Sequence, residues 1–201
     1  VKGSGKVFYV VTMPNAQEML NSTIAKNALL VANDVANSPH IILDNERQTK
    51  ILRGKVGLMN LLPAANSAFA KLFSQVLKLS AEDSSIQTFD SKDLERCLKT
   101  EKRTLVGTTV IPDPKIPNLG ATIFQNCIKR SPCPVFQNKA KVGSLLLVMT
   151  PEMANDPDIS QHLDAATSYV GGRAETLFSG IYIRENLPGL IALMLIGGIE
   201  Q

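Results

Sequence analysis

The 201-residue sequence predicts an α/β fold: a parallel βαβ unit, one long helix, then a βαβαββ unit with a four-stranded mixed sheet. Three observations carry this. Between Val7 and Leu43 an apolar β-branched run, a helical stretch and a second apolar run follow one another. From Leu58 to Leu79 a helical apolar period then persists. Beyond Arg103 short Val- and Leu-rich runs alternate with helical segments.

Val7 to Val11 is continuously apolar and ends at Thr12-Met13-Pro14, the pattern of a strand buried on both faces. A helix is expected from about Gln17 to Ala36, with Met19, Ile24, Ala28, Val31 and Val35 at helical spacing. Pro39 breaks the chain before the second strand, His40 to Leu43. Strand, helix, strand at these lengths requires parallel pairing. Ligands bind such units beyond the strand C-termini, here Pro14 to Glu18 and Asp44 to Arg47.

The helix from Leu58 to Leu79 presents Leu62, Ala65, Phe69, Leu72, Phe73, Val76 and Leu77, and is about 30 Å long. Pro63 is tolerated only in its first turn. Residues 80–85 are a polar loop. Asp90 and Asp93 then open another helix, and the run Lys99 to Arg103 lies where cations favour a helix C-terminus. Strand Thr104–Ile111, a loop with Pro112, Pro114 and Pro117, and helix Leu119–Lys129 follow. Strand Ser144–Met149, helix Ile159–Val170 and strands Leu177–Arg184 and Leu190–Ile196 close the chain. Residues 1–57, 58–80 and 81–201 are thus three units.

With 44% hydrophobic and 19% charged residues, the composition is that of a soluble globular protein. A net charge of +3, with dispersed Lys and Arg, argues against direct nucleic-acid binding. The longest strongly apolar run, Leu190 to Ile196, is too short for a membrane helix. Cys97, Cys127 and Cys133 cannot all pair and lack zinc spacing, which implies no metal site and a reducing, cytoplasmic setting. Lys2-Gly-Ser-Gly-Lys6 lacks the spacing and preceding strand of a phosphate loop and reads as a lead-in segment. The chain does not begin with Met, and a fragment of a longer protein is expected.

From spacing alone, Asp90 and Asp93 read as an N-cap with an acidic residue three positions on. Asn66 reads as a surface amide, Glu18 as a helix-start charge, and Asp44 and Asn45 as turn residues. His40 and His162 suggest no chemistry, and Met149 to Met153 reads as a strand-to-helix connection.

Nearly the whole chain resembles the tubulin/FtsZ superfamily of filament-forming GTPases. Val10-Val11-Thr12-Met13-Pro14 is similar to the family's "VVTLP" strand end, and Ile41 to Asn45 to the strand ending beside the nucleotide. Ala64-Ala65-Asn66 is similar to the helix segment that reads the guanine edge, and Asp90-Ser91-Lys92-Asp93-Leu94 to the "DFADV" catalytic loop. Ser179 to Ile183 and Leu190 to Met194 resemble the closing strands. The "Leu-Asp-Asn" ending at Asn45 looks more like the plasmid and phage TubZ branch than like division FtsZ. The sequence departs from the pattern at Thr88, where FtsZ has Asn, and at Ser22, where the family has a ribose arginine.

The resemblance implies residues 1–57 as the C-terminal part of a GTPase domain, a central helix, and an activation domain carrying the catalytic loop. It implies Asp93 and Asp90 as catalytic residues acting on the neighbouring subunit's GTP, and Glu18, Asp44, Asn45 and Asn66 as nucleotide contacts. GTP, with Mg2+ in the intact filament, is the implied cofactor. The implied partner is the chain itself, head to tail, with a DNA-binding adaptor protein and no direct nucleic-acid or membrane contact. Plasmid or phage DNA segregation is the expected role, and this chain alone is expected to be inactive. Cell division, or a non-catalytic tubulin-like interaction or capping module, is the alternative. An unrelated α/β hydrolase lacks a nucleophile or metal constellation.

Overall fold

A computed structural model describes residues 7–135 and 140–199. The Lys2–Lys6 segment lies outside the described residues. The elements are β1 (Tyr9–Met13), α1 (Ser22–Val35), β2 (His40–Asp44), α2 (Asn45–Leu52), α3 (Leu61–Ser80), α4 (Ser91–Lys99), β3 (Arg103–Ile111), α5 (Leu119–Arg130), β4 (Ala140–Met149), α6 (Pro151–Ala154), α7 (Ile159–Gly171), β5 (Ala174–Ile183) and β6 (Leu190–Ile199). Short 3-10 turns precede α1 and α3.

The strands lie in the order β1-β2-β3-β6-β4-β5. β1 and β2 pair in parallel, as the βαβ reading requires. The mixed four-stranded sheet is present: β6 runs antiparallel to both β3 and β4, and β4 pairs in parallel with β5. The two units meet at one corner, where His40 is in register with Arg103. Six strands therefore form one sheet.

Both faces of the four-stranded part are covered. Gly107 of β3 lies against the α5 backbone, where an added Cβ would sit 2.4 Å from Cys127 O. Gly197 of β6 lies against α4, 3.0 Å from Cys97 O by the same measure. Gly107 is in register with Met194, three residues from Gly197, so strand alternation puts α4 and α5 on opposite faces. Leu145, Leu146, Leu193, Leu195 and Ile196 are consequently buried. All three cysteines are buried and unpaired, and burial pushes the thiols of Cys97 and Cys127 up to about 12.

Several expectations need correction. β1 is not buried on both faces, since Tyr9 and Val10 are exposed: it has one strand neighbour and no complete helix layer. The helix expected from Gln17 starts at Ser22, because the Asn21 side chain accepts from Thr23 and Ile24 N–H and so caps it there. Asp44 to Arg47, expected as a ligand-binding strand end, instead cap and open α2. Asp44 caps it through the Arg47 N–H, and Glu46 pairs with Lys50 one turn on. Pro63 falls in the first turn of α3, as tolerance requires. Lys99 ends α4, but Arg103 opens β3 and is buried.

Candidate functional site

The acidic turn is held by α4 and by the segment before it. Asp90 is the N-cap of α4; its Oδ1 accepts from the N–H groups of Lys92 (2.8 Å) and Asp93 (2.9 Å). Asp93 Oδ2 accepts in return from the Asp90 N–H at 3.4 Å, completing a reciprocal box. The second Asp93 oxygen lies 3.8 Å from the Arg96 guanidinium, which also stands over the Phe178 ring. Asp90 is exposed and Asp93 half-buried, so both carboxylates are reachable from solvent. Thr88 is engaged locally: its hydroxyl accepts from the Ser84 N–H at 3.0 Å.

The other predicted residues lie in the turn after β1, at the start of α2 and on α3. The parallel register sets Met13 beside Asp44, so the turn after β1 and the start of α2 are neighbours. The Ala16 N–H donates to Glu46 Oε2 at 3.2 Å across that gap. Glu18 Oε2 accepts from the Asn15 N–H at 2.8 Å, and Asn15 Oδ1 caps the same turn. Asn45 is the first residue of α2 and is half-buried. Asn66 is exposed on α3, one position from Ala65, which lines a pocket of about 110 Å³ between α2 and α3.

Glu18, Asp44 and Asn45 thus share one region with α2 packed on α3, while Asp90 and Asp93 follow the far end of α3 in the chain and sit beside β5, at the sheet edge opposite β1. From Asn66 to Ser80, α3 rises about 21 Å. One chain therefore does not bring the two groups together. Ser22 opens α1 near the Glu18 turn. His40 Nδ1 bonds Ser38 O at 2.8 Å and serves the strand start. Thr150 caps the four-residue α6, which interrupts the connection expected at Met149 to Met153.

Two anchoring residues carry no sequence signal. Arg47 donates to the carbonyls of Ile128, Lys129 and Ser131 at the end of α5, clasping α2 to the second unit. Tyr182 bonds the backbone of Phe89, directly before the acidic turn.

The chemistry open to each end differs. Exposed carboxylates at the α4 start can orient a water and accept its proton. The amide of Asn66 and the carboxylates of Glu18 and Asp44 suit a base edge and ribose hydroxyls. Two carboxylates do not suit a polyphosphate, and no group of three metal-ligating residues occurs among the described residues.

No protein-family model matches the sequence, and no curated protein matches it. Solved structures do. A GDP-form TubZ protofilament from Bacillus thuringiensis serovar israelensis is 14% identical, with a TM-score of 0.79 over 99% of this chain and 58% of that one. The GTPγS-bound CetZ2 protofilament of Haloferax volcanii is 16% identical, with a TM-score of 0.73 over 100% of this chain and 58% of that one. An empty FtsZ dimer from M. jannaschii is 15% identical, with a TM-score of 0.67 over 98% and 55%. The chain has the tubulin/FtsZ superfamily fold, and it spans little more than half the length of these structures.

Proposed function

We propose that this chain is the activating half of a filament-forming GTPase. Its Asp90–Asp93 turn completes hydrolysis of GTP held by the next subunit. The observation that supports this best is the separation of the two residue groups along α3. Groups at opposite ends of one helix meet only when copies stack head to tail, and such a contact propagates as an open filament. Two of the structural neighbours are themselves protofilaments, one in GDP form and one bound to GTPγS.

In this reading the base and ribose of GTP lie against Glu18, Asp44, Asn45 and Asn66 of one subunit. The phosphates are held by a half that these 201 residues do not carry, and Mg2+ enters with them. Asp93 of the neighbour orients the attacking water and takes its proton, while Asp90 caps α4 and fixes that carboxylate. The TubZ-like strand end at Asn45 supports plasmid or phage DNA segregation in the cytoplasm, with DNA reached through an adaptor. Division of the cell is the runner-up role.

One observation favours a second reading. Both aspartates are already spent on the cap, and Asp93 also faces Arg96, as suits a non-catalytic interaction module. Two substitutions separate the readings in a protein that includes the nucleotide-binding half. Asp93→Ala should keep GTP binding and filaments and lower turnover by roughly 10²–10⁴-fold. Asp90→Ala should act more on stability, by about 1 kcal/mol. Near-normal turnover in Asp93→Ala would leave the interaction module as the better reading.

A further inference from the structure

The segment between α3 and α4 is docked on β5 by three consecutive strand residues. β5 is the last strand of the sheet, so its outer edge has no strand partner among the described residues. The Ile181 N–H donates to Gln87 O at 2.8 Å, a single antiparallel rung, and the Ser84 hydroxyl donates to Ile181 O. Gly180 sits beneath Phe89, where an added Cβ would lie 2.8 Å from Phe89 Cβ and 2.8 Å from the Tyr182 ring. Tyr182 makes the third link. Its phenol oxygen accepts from the Phe89 N–H at 3.0 Å and donates to Phe89 O at 3.0 Å.

That pair of bonds is unusual in its economy. Phe89 and Tyr182 are 0% and 1% exposed, so water cannot replace the phenol as partner to either backbone group. Without the hydroxyl, the Phe89 N–H and C=O would both be buried and unpaired. Phe89 is joined directly to Asp90, whose extended backbone starts the capping box. Burial raises the phenol's pKa above its ordinary value, and the charges of Glu82 and Asp93 push the same way, so the proton it donates is retained.

We propose that Tyr182 is a positioning residue: its hydroxyl fixes the Phe89 backbone and thereby sets where the Asp90–Asp93 turn presents its carboxylates. This rests on the hydrolytic reading above. Tyr182 touches neither nucleotide nor water there; it acts through Asp93. Loss of the hydroxyl loosens the turn by one residue's backbone while the ring still fills its place in the core.

The test is Tyr182→Phe in the protein that includes the nucleotide-binding half. Turnover within filaments should fall about 10-fold, because an acid–base group that is present but misplaced forfeits part of its contribution. Nucleotide affinity and the assembly threshold should stay within about twofold, since neither uses the turn's fine position. Tyr182→Phe combined with Asp93→Ala should be no slower than Asp93→Ala alone. In the 201-residue chain, hydrogen exchange at the amides of Phe89 to Asp93 should quicken in Tyr182→Phe, with β4 and β6 unchanged. Wild-type turnover in Tyr182→Phe overturns the proposal, as does a loss that multiplies with that of Asp93→Ala. If Asp93→Ala itself keeps full turnover, the hydrolytic reading fails and the catalytic part of this proposal with it. Exchange that does not quicken refutes the docking role independently of any GTPase.

Discussion

The β1–α1 pair and the β4–β6 pair both carry apolar runs and end in different states. Leu145, Leu146 and Leu147 of β4, and Leu193 to Ile196 of β6, are at most 1% exposed. Val10 of β1 is 46% exposed, and Leu29 and Leu30 of α1 are 59% and 51% exposed. β4 has strands on both sides, α4 over one face and α7 over the other. β1 has one strand neighbour, and α1 packs chiefly on the Glu18–Leu20 turn, burying only Ala28 and Val35. The lesson is that apolarity sets the demand for burial, and the number of layers decides whether it is met. The second unit has both faces of its sheet covered and anchors the acidic turn through Tyr182. The first has the composition of a covered layer, and the described residues do not supply its cover.

Substitution on each side would sharpen the contrast. Leu146→Ala should cost roughly 2–5 kcal/mol, because a fully buried side chain leaves a cavity among fixed neighbours. Leu30→Ala should cost within about 0.5 kcal/mol in the 201-residue chain. Urea denaturation of both variants measures the difference. Equal costs would mean that α1 is packed on something and would remove the contrast.

Much of this architecture was legible in the residues, and the misses have physical causes. The mixed sheet was readable because β3, β4 and β6 are apolar where they are buried, and apolar period reports burial. Helix α2 was not: its stability comes from the Asp44 cap and the Glu46–Lys50 pair, which leave no apolar period. β4 and β5 begin at Ala140 and Ala174, earlier than expected, because Ala140 to Gly143 is paired to Ala174 to Leu177 by backbone register. The Asp90–Asp93 cap was legible as a local motif. Its anchoring by Tyr182, 93 positions away, was not, since no local pattern encodes a contact of that span.

A smaller effect should appear where loops bridge elements of the second unit. Lys115, in the Pro-rich loop, is paired with Asp156 beyond α6, with Asp158 4.0 Å away. The Lys115 ammonium holds the Asp156 carboxyl below its ordinary value of 3.8. A depressed folded pKa contributes stability above the unfolded value and loses it as pH falls through the folded one. Asp156 in turn raises Lys115 above 10.5, a contribution lost only as pH climbs through that raised value. The tether should therefore persist from mildly acidic to strongly basic pH. Carboxyl-resolved NMR titration should find Asp156 below 3.8, moving up in Lys115→Ala; an unmoved midpoint would show the pair is not formed.

The most direct measurement asks whether the acidic turn works across a subunit boundary. Subunits that include the nucleotide-binding half but carry Asp93→Ala are loaded with GTP, and the 201-residue chain is added. The chain alone should bind no GTP, with no phosphate cradle among the described residues, yet its addition should restore GTP hydrolysis at the filament end it docks on. The same chain carrying Asp93→Ala should dock equally, by co-sedimentation, and restore nothing. Docking by both with hydrolysis restored by neither, or by both alike, would contradict catalysis in trans by this turn.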